Sequence, residues 1–402
     1  MDFEADSRLA AWRDKYQEFN VAGLRWLLAR PELAGGWLNT KLHSITLREY
    51  DESDGPRSPR FTYGWIQGRG LEALVTHALS IRETHRDLAS AALERARGLY
   101  KALASLYERY GNGYFLYDAD LTPVYLDVSG EPQPQATDLE PSTYSQVFML
   151  KGLVVAATVL DAASVPKWKL QLDLVVERIE ADRFLQNERQ ALGAPALAQQ
   201  AENYGPRMIM LGAAAVLRQH GLEAEFGDRF LAQILAHHRD GASPLLSDEP
   251  GGDVCNPGHA IELLGFALDY LPVGDPRQAE VLAALVAHCD AGFHGPGVAI
   301  EVSIRDGAVL EPYFPWWALP ETIRSVALAY ERTGDSCFLD YWDRADRAFW
   351  SNYVHPNAPV AYQNRDWTAP VDRVPATPDL DPLYHTGLSL LGAIGAVDRL
   401  SR

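Results

Sequence analysis

The sequence predicts an all-α fold, an (α/α)6 barrel: a toroid of twelve helices with short hairpins in the loops at one mouth. Three observations predict it. Helical periodicity runs through nearly the whole chain, with only short strand-like pieces. The links between helices alternate short and long. Every second helix is built from small and apolar residues.

In chain order, helices are expected over 5–29, 64–83, 86–109, 142–161, 164–184, 202–219, 222–237, 257–271, 276–291, 316–333, 336–353 and 383–399. Links after the even-numbered helices span about 2 to 4 residues and carry stop signals such as R-Q-H-G at 218–221 and R-T-G-D at 332–335. Links after the odd-numbered helices run from about 17 to more than 30 residues, a length seldom met in structureless loops and common in functional ones. Two of them carry hairpin signals, G-Y-F-L-Y-D-A-D-L-T-P-V-Y-L at 113–126 and V-A-I-E-V-S-I-R-D-G-A-V-L at 298–310 with its Asp-Gly turn. Six helical hairpins joined this way close into a ring whose long links gather at one end. The segments L-G-A-A-A-V-L (211–217), G-H-A-I-E-L-L-G-F-A (258–267) and G-L-S-L-L-G-A-I-G-A (387–396) suit an inner ring, where backbones crowd around an axis. R-D-L-A-S-A-A-L-E-R-A-R (86–97) has one charged face and belongs outside. A single catalytic domain over 1–402 is the expectation.

Composition narrows the function classes. The chain has 402 residues, 47% hydrophobic and 22% charged, ample for a large core. Its net charge of −18 argues against nucleic acid or an anionic membrane as partner, since both need a positive surface. The start, M-D-F-E-A-D-S-R-L-A, lacks a basic segment followed by an apolar core, and no apolar run is long enough to span a bilayer. A cytoplasmic location is expected. Cys255, Cys289 and Cys337 are few, odd in number and unpaired in spacing, which fits a reducing compartment.

Polar residues then stand out near the starts of the even helices: Arg69 in W-I-Q-G-R-G, Tyr144 in S-T-Y-S-Q-V-F, Arg207 in N-Y-G-P-R-M, His259 and Glu262 in N-P-G-H-A-I-E, Trp316, Trp317 and Glu321 in F-P-W-W-A-L-P-E, and His385 in L-Y-H-T-G. Pro257 suits a first helical turn and puts His259 at the positive end of a helix dipole. In a ring these starts converge on one mouth, as a pocket with convergent polar groups. By contrast His237, His238 and H-C-D at 288–290 lie on outer helices or their ends and are expected at the surface. Core packing, a structural ion pair or a helix cap accounts for any one of the singled-out residues taken alone.

With these segments in order, W-I-Q-G-R at 65–69, N-P-G-H-A-I-E at 256–262, W-W-x-x-x-E at 316–321, I-R-S-V-A-L-A-Y-E-R-T-G-D at 323–335 and Y-H at 384–385, the chain resembles the N-acyl-D-glucosamine 2-epimerase family, with its cellobiose 2-epimerase and mannose isomerase relatives. The resemblance covers essentially the whole chain. It implies an (α/α)6 barrel, a sugar substrate, and paired histidines that carry protons at C2. By motif match these are His259 and His385, with Arg69 as a cation for enediolate charge and Glu262, Glu321, Trp316, Trp317, Tyr144 and Arg207 toward the sugar. Two departures bear on the branch. Ile209, in P-R-M-I-M-L-G, stands where isomerase and cellobiose epimerase relatives carry a third histidine, which favours the N-acylglucosamine branch, whereas S-T-Y-S-Q-V-F-M-L at 142–150 is closer to the isomerases. Arg207 suits an anionic or N-acyl substrate, or a pair with Glu202.

The chemistry asks for such residues. Epimerisation at C2 of an open-chain aldose removes a proton α to a carbonyl, passes through a cis-enediol and returns a proton to the opposite face. Imidazole serves as either base or acid near neutral pH, and a cation steadies the enediolate. Delivery of the proton to C1 instead gives a ketose. A glycoside hydrolase on the same fold needs two carboxylates about 5 to 9.5 Å apart, for which Asp253, Glu262 and Glu321 are candidates, and a catalytically silent sugar-binding barrel is the third reading. No HExxH, CxxC, P-loop or Rossmann spacing occurs, so neither metal nor nucleotide cofactor is expected. Self-association as a homodimer stays open.

Overall fold

The computed structural model of the chain describes residues 3–138, 140–239, 243–374 and 376–402. Its helices are α1 (Phe3–Ala29), α2 (Gly64–Ile81), α3 (Arg86–Tyr110), α4 (Tyr144–Leu160), α5 (Val165–Glu180), α6 (Ala194–Gln199), α7 (Gly205–Gln219), α8 (Phe226–His237), α9 (Pro257–Tyr270), α10 (Gln278–Gly292), α11 (Ala318–Thr333), α12 (Ser336–Asn352) and α13 (Ser389–Leu400). Each predicted helix is present, and α6 is an addition inside a predicted long link. The stop signals act as their chemistry requires. Gly334 ends α11 in the left-handed conformation (φ 67°), and the next residue, Asp335, caps α12 by accepting the Cys337 N–H at 2.9 Å.

The chain divides into two compact units. One comprises Met1–Gly23, Glu202–Pro375 and His385–Arg402, the other Leu24–Ala201 and Ala376–Tyr384. In the first, α7, α9, α11 and α13 pack side by side in succession, and α8, α10 and α12 pack against α7, α9 and α11 as their hairpin partners. Small residues allow this. A Cβ on Gly265 of α9 would fall 2.2 Å from Ser325 Oγ of α11. The partner helices bury one face only: in α12 this is Phe338, Leu339, Trp342, Ala345, Asp346 and Phe349, with Trp342 stacked on Trp12 at 4.8 Å. In the second unit α2 and α4 touch backbone to backbone, since a Cβ on Gly152 would lie 2.4 Å from the Gly68 carbonyl oxygen, and α3 and α5 complete the two hairpins.

In each unit the long links are tied to one another by short strands. Thr62–Tyr63 pairs with Leu116–Tyr117, which continues antiparallel to Pro123–Leu126 and Pro132–Pro134, while Ser142–Thr143 runs parallel to Phe184–Leu185. In the other unit Val254–Cys255 pairs with Val302–Ser303, and Phe314–Pro315 with Asn364–Arg365. Both expected hairpins are present, the second turning at Gly307 (φ 71°) with the Ser303 N–H on the Ala308 carbonyl at 2.8 Å.

The surface expectation for the outer histidines holds for His237 and Asp290 and fails for His238, His288 and Cys289, which are buried. The long link after α8 brings polar backbone under cover, and these rings satisfy it. Leu246 donates its N–H to His288 Nε2 at 3.0 Å, so His288 Nδ1 carries the proton and meets the Ala284 carbonyl at 2.8 Å. Burial pulls the His288 ring down to about 4, which keeps it neutral. His238 Nδ1 meets the Ser247 carbonyl at 3.1 Å. Among the described residues no helix is long and apolar enough to cross a membrane.

Candidate active site

His259 is fixed by its helix cap. The Asn256 side chain accepts the His259 N–H at 3.0 Å and Pro257 opens α9, while the Asn256 N–H donates to Asp248 Oδ1 at 2.9 Å. The cap holds the turn, and the turn presents the ring. The imidazole stacks on Trp317, with centroids 4.9 Å apart and planes 22° from parallel. Gly258 admits that indole, since a Cβ there would lie 2.8 Å from it.

His385 lies on a π-helical turn, Tyr384–Leu388, that leads into α13. Its Nδ1 is 3.0 Å from Glu321 Oε1 and 3.9 Å from Glu262 Oε1, all three residues being buried. The Trp317 ring is 5.8 Å away and the Trp316 ring 6.3 Å. Trp317 therefore touches both imidazoles, and their separation cannot exceed the sum of its two centroid distances. Trp316 is held by its Nε1–H on Thr386 Oγ1 at 3.2 Å. The two tryptophans precede α11 and are equally buried, at 7% exposure each, so exposure singles out neither as a wall for a sugar.

Glu321 determines what His385 can do. Burial pushes its carboxyl up, but the Arg324 guanidinium, 2.9 Å from Oε2, outweighs this with His385 and Ser389 and holds it below the usual carboxylate range. A carboxylate facing Nδ1 calls for the proton on Nδ1, which leaves the lone pair of the neutral ring on Nε2. Glu262, Glu321 and His385 also form the one group among the described residues whose donor atoms, within 4.8 Å of one another, are close enough to hold a metal ion. They come from three separate segments, so no short ligand motif marks them in the sequence. Of the two carboxylates, Glu321 is already paired with Arg324.

Arg207 lies in the same unit, buried on α7, and donates its Nε–H to Gln233 Oε1 of α8 at 2.8 Å. Ile209 is buried on the same helix.

Arg69 and Tyr144 belong to the other unit. The Arg69 guanidinium lies over the rings of Phe148 (3.9 Å), Trp65 (4.9 Å) and Tyr384 (5.1 Å), a cation–π cradle. Tyr144, the first residue of α4, meets Trp65 edge-on at 5.8 Å and Phe184 at 4.9 Å. Tyr384 donates nothing to the cradle by chance: its hydroxyl is 2.9 Å from Lys151 Nζ, which is paired with Glu72 at 3.0 Å.

Sequence reasoning missed Glu188, Asp248 and Arg324. Glu188 is buried against the N-terminus of α4, where it accepts the Ser145 N–H at 3.1 Å and the Trp65 Nε1–H at 2.6 Å. Burial raises its carboxyl to about 7 despite these bonds. It therefore keeps its proton in the folded chain where an unfolded chain loses it, so stability falls as pH rises between about 4.5 and 7. Exchange for Gln removes that slope. From pH 5 to 8 the denaturation free energy of E188Q should gain on the parent by about 1 to 3 kcal/mol, and parallel curves would refute the assignment. Asp248, raised to about 6 chiefly by burial, supports the His259 cap from the link after α8.

No family model matches the sequence, and no curated protein matches it. Solved structures do. A cellobiose 2-epimerase from Bacillus thermoamylovorans is similar with a TM-score of 0.74 at 17% identity, over 97% of this chain and 99% of that one. A D-mannose isomerase follows at 0.71 and 14%, over 98% and 99%, and a cellobiose 2-epimerase from Spirochaeta thermophila at 0.70 and 17%, over 99% and 98%. The chain has the fold of the sugar 2-epimerases and isomerases. That is the all-α, (α/α)6-barrel class the helix spacing predicts, and these proteins are the relatives that the motifs resemble.

Proposed function

We propose that the protein is a sugar 2-epimerase or isomerase that moves protons at C2 of an open-chain aldose through a cis-enediolate, with His259 and His385 as the two proton carriers. The observation that carries this reading is the meeting of both imidazoles on Trp317, with Glu321 on Nδ1 of one of them. Neutral His385 takes or returns a C2 proton at Nε2, and Glu321 steadies the imidazolium that forms. His259, on its capped turn, serves the other face. Arg69 as the cation for developing charge, and Tyr144, Arg207, Glu262, Trp316 and Trp317 as sugar-binding groups, are part of the proposal on the sequence pattern alone.

N-acyl-D-glucosamine is the first substrate to test, because Ile209 is apolar where isomerase relatives carry histidine. Aldose–ketose isomerisation is the second reading, favoured by the similarity to a D-mannose isomerase. Hydrolysis is less suited: its two carboxylates would flank a bond, whereas Glu262 and Glu321 both turn to the same imidazole nitrogen. Incubation with N-acetylglucosamine, N-acetylmannosamine, mannose, glucose and cellobiose, read by NMR, separates the readings. C2 inversion or ketose formation is the expected result; bond cleavage, or binding without turnover across the panel, would overturn it.

A further inference from the structure

Arg324 of α11 is buried against α9 and α13, and its path is made by two glycines. A Cβ on Gly392 of α13 would fall 2.9 Å from Arg324 Cγ, and one on Gly265 of α9 would fall 3.1 Å from Nη2. The guanidinium lies over the Phe266 ring at 4.4 Å. Nη2 is 2.9 Å from Glu321 Oε2 and donates to the Glu262 backbone carbonyl at 3.3 Å, while Nη1 donates to Asp269 Oδ2 at 3.1 Å. A continuous row results: His385, Glu321, Arg324, Asp269.

We infer that Arg324 is a positioning residue, which fixes Glu321 as the carboxylate that holds the His385 Nδ1–H and so keeps the ring in the tautomer with a basic Nε2. A buried carboxylate beside an imidazole has two ways to shed its charge. It takes up a proton itself, or it draws one onto the ring, and either ends the ring's use as a neutral base. Arginine offsets the charge without a proton that can be lost, and its fork bridges two carboxylates at once. A lysine supplies the charge but not the fork.

The charged and titratable groups around this row are Glu262 and Asp269 from α9, Arg332 from α11, and His385 and Arg399 from the last segment, with the Ser389 hydroxyl also on Glu321. Asp269 is raised by burial, with Arg324, Arg399 and Arg332 opposing. Arg324 heads the influences that lower Glu321.

The functional meaning of this row rests on reading His385 as a base; the test does not. In sugar-free protein labelled with ¹⁵N-histidine and ¹³C-carboxyl glutamate, with H385N and E321Q used for assignment, the parent should hold His385 as the Nδ1–H tautomer. In Arg324→Met the Glu321 carboxyl should titrate at least about one pH unit higher and the Nδ1–H signal should fall. Arg324→Lys should restore most of both. Gly392→Ala, which crowds the arginine but keeps its charge, supplies a second variant should Arg324→Met fold poorly, with a change in the same direction. Parent-like tautomer and titration in Arg324→Met, or equal damage from Lys and Met, would overturn the inference. Because no sugar is present, that outcome is read separately from any failure to find activity at C2.

Discussion

Replacing His259 or His385 by Asn should lower turnover at least about 10²-fold while the helical fold and sugar binding persist. Asparagine keeps polarity and approximate size but cannot accept a proton near neutral pH. His259 is partly exposed and its position is set by backbone groups, the Asn256 cap and the Asp248 bond to it, which the variant retains. His385 is buried, and Asn there still offers an N–H toward Glu321. Circular dichroism and a denaturation curve alongside kcat check both halves. Loss of cooperative folding in both variants, in step with activity, would return the two rings to a packing role.

Glu321→Gln should do damage of two kinds. The charge that fixes the His385 tautomer is lost, for which a fall in kcat of about 10²-fold is expected with KM little changed. Arg324 keeps only Asp269 as a carboxylate partner, so stability should drop, by less than the about 3 to 5 kcal/mol that follows when a buried charge loses its whole compensation. A stable Glu321→Gln protein with parental kcat would contradict the arrangement described for His385.

The parts of this molecule that follow from local chemistry were legible in its sequence. The R-T-G-D link is readable because glycine ends one helix and aspartate starts the next, and N-P-G-H is readable because an asparagine cap and a proline define a first turn. Short links set against long ones then gave the hairpins. The helix Ala194–Gln199 escaped because six residues carry no periodicity; only the proline at its start hinted at it. Trp316 and Trp317 were expected on the first turn of their helix and lie just before it. The π-helical turn around His385 has no sequence signature of its own.

What stayed hidden was decided by partners distant in sequence. Arg324 sits within the quoted motif I-R-S-V-A-L, but its meaning depends on glycines at 265 and 392 and on Asp269. Glu188 in Q-N-E-R-Q reads as a surface charge until the N-terminus of α4 is seen against it. His238 and His288 were misjudged for the same reason, since the backbone that buries them arrives from the link after α8. The candidate histidines themselves were found in the sequence, although their common contact with Trp317 was not.

The central claim is that protons leave and reach C2 on two different imidazoles, and turnover in D2O tests it most directly. A proton removed by one ring is not the one delivered by the other, and the delivering imidazolium exchanges with solvent before substrate binds. Product epimer from early turnover should therefore carry close to one deuterium at C2 per inversion, with little label elsewhere on the ring. A ketose with partly retained label would mark transfer by a single base. An epimer that accumulates with protium still at C2 would contradict the two-histidine account, however well His259 and His385 are placed.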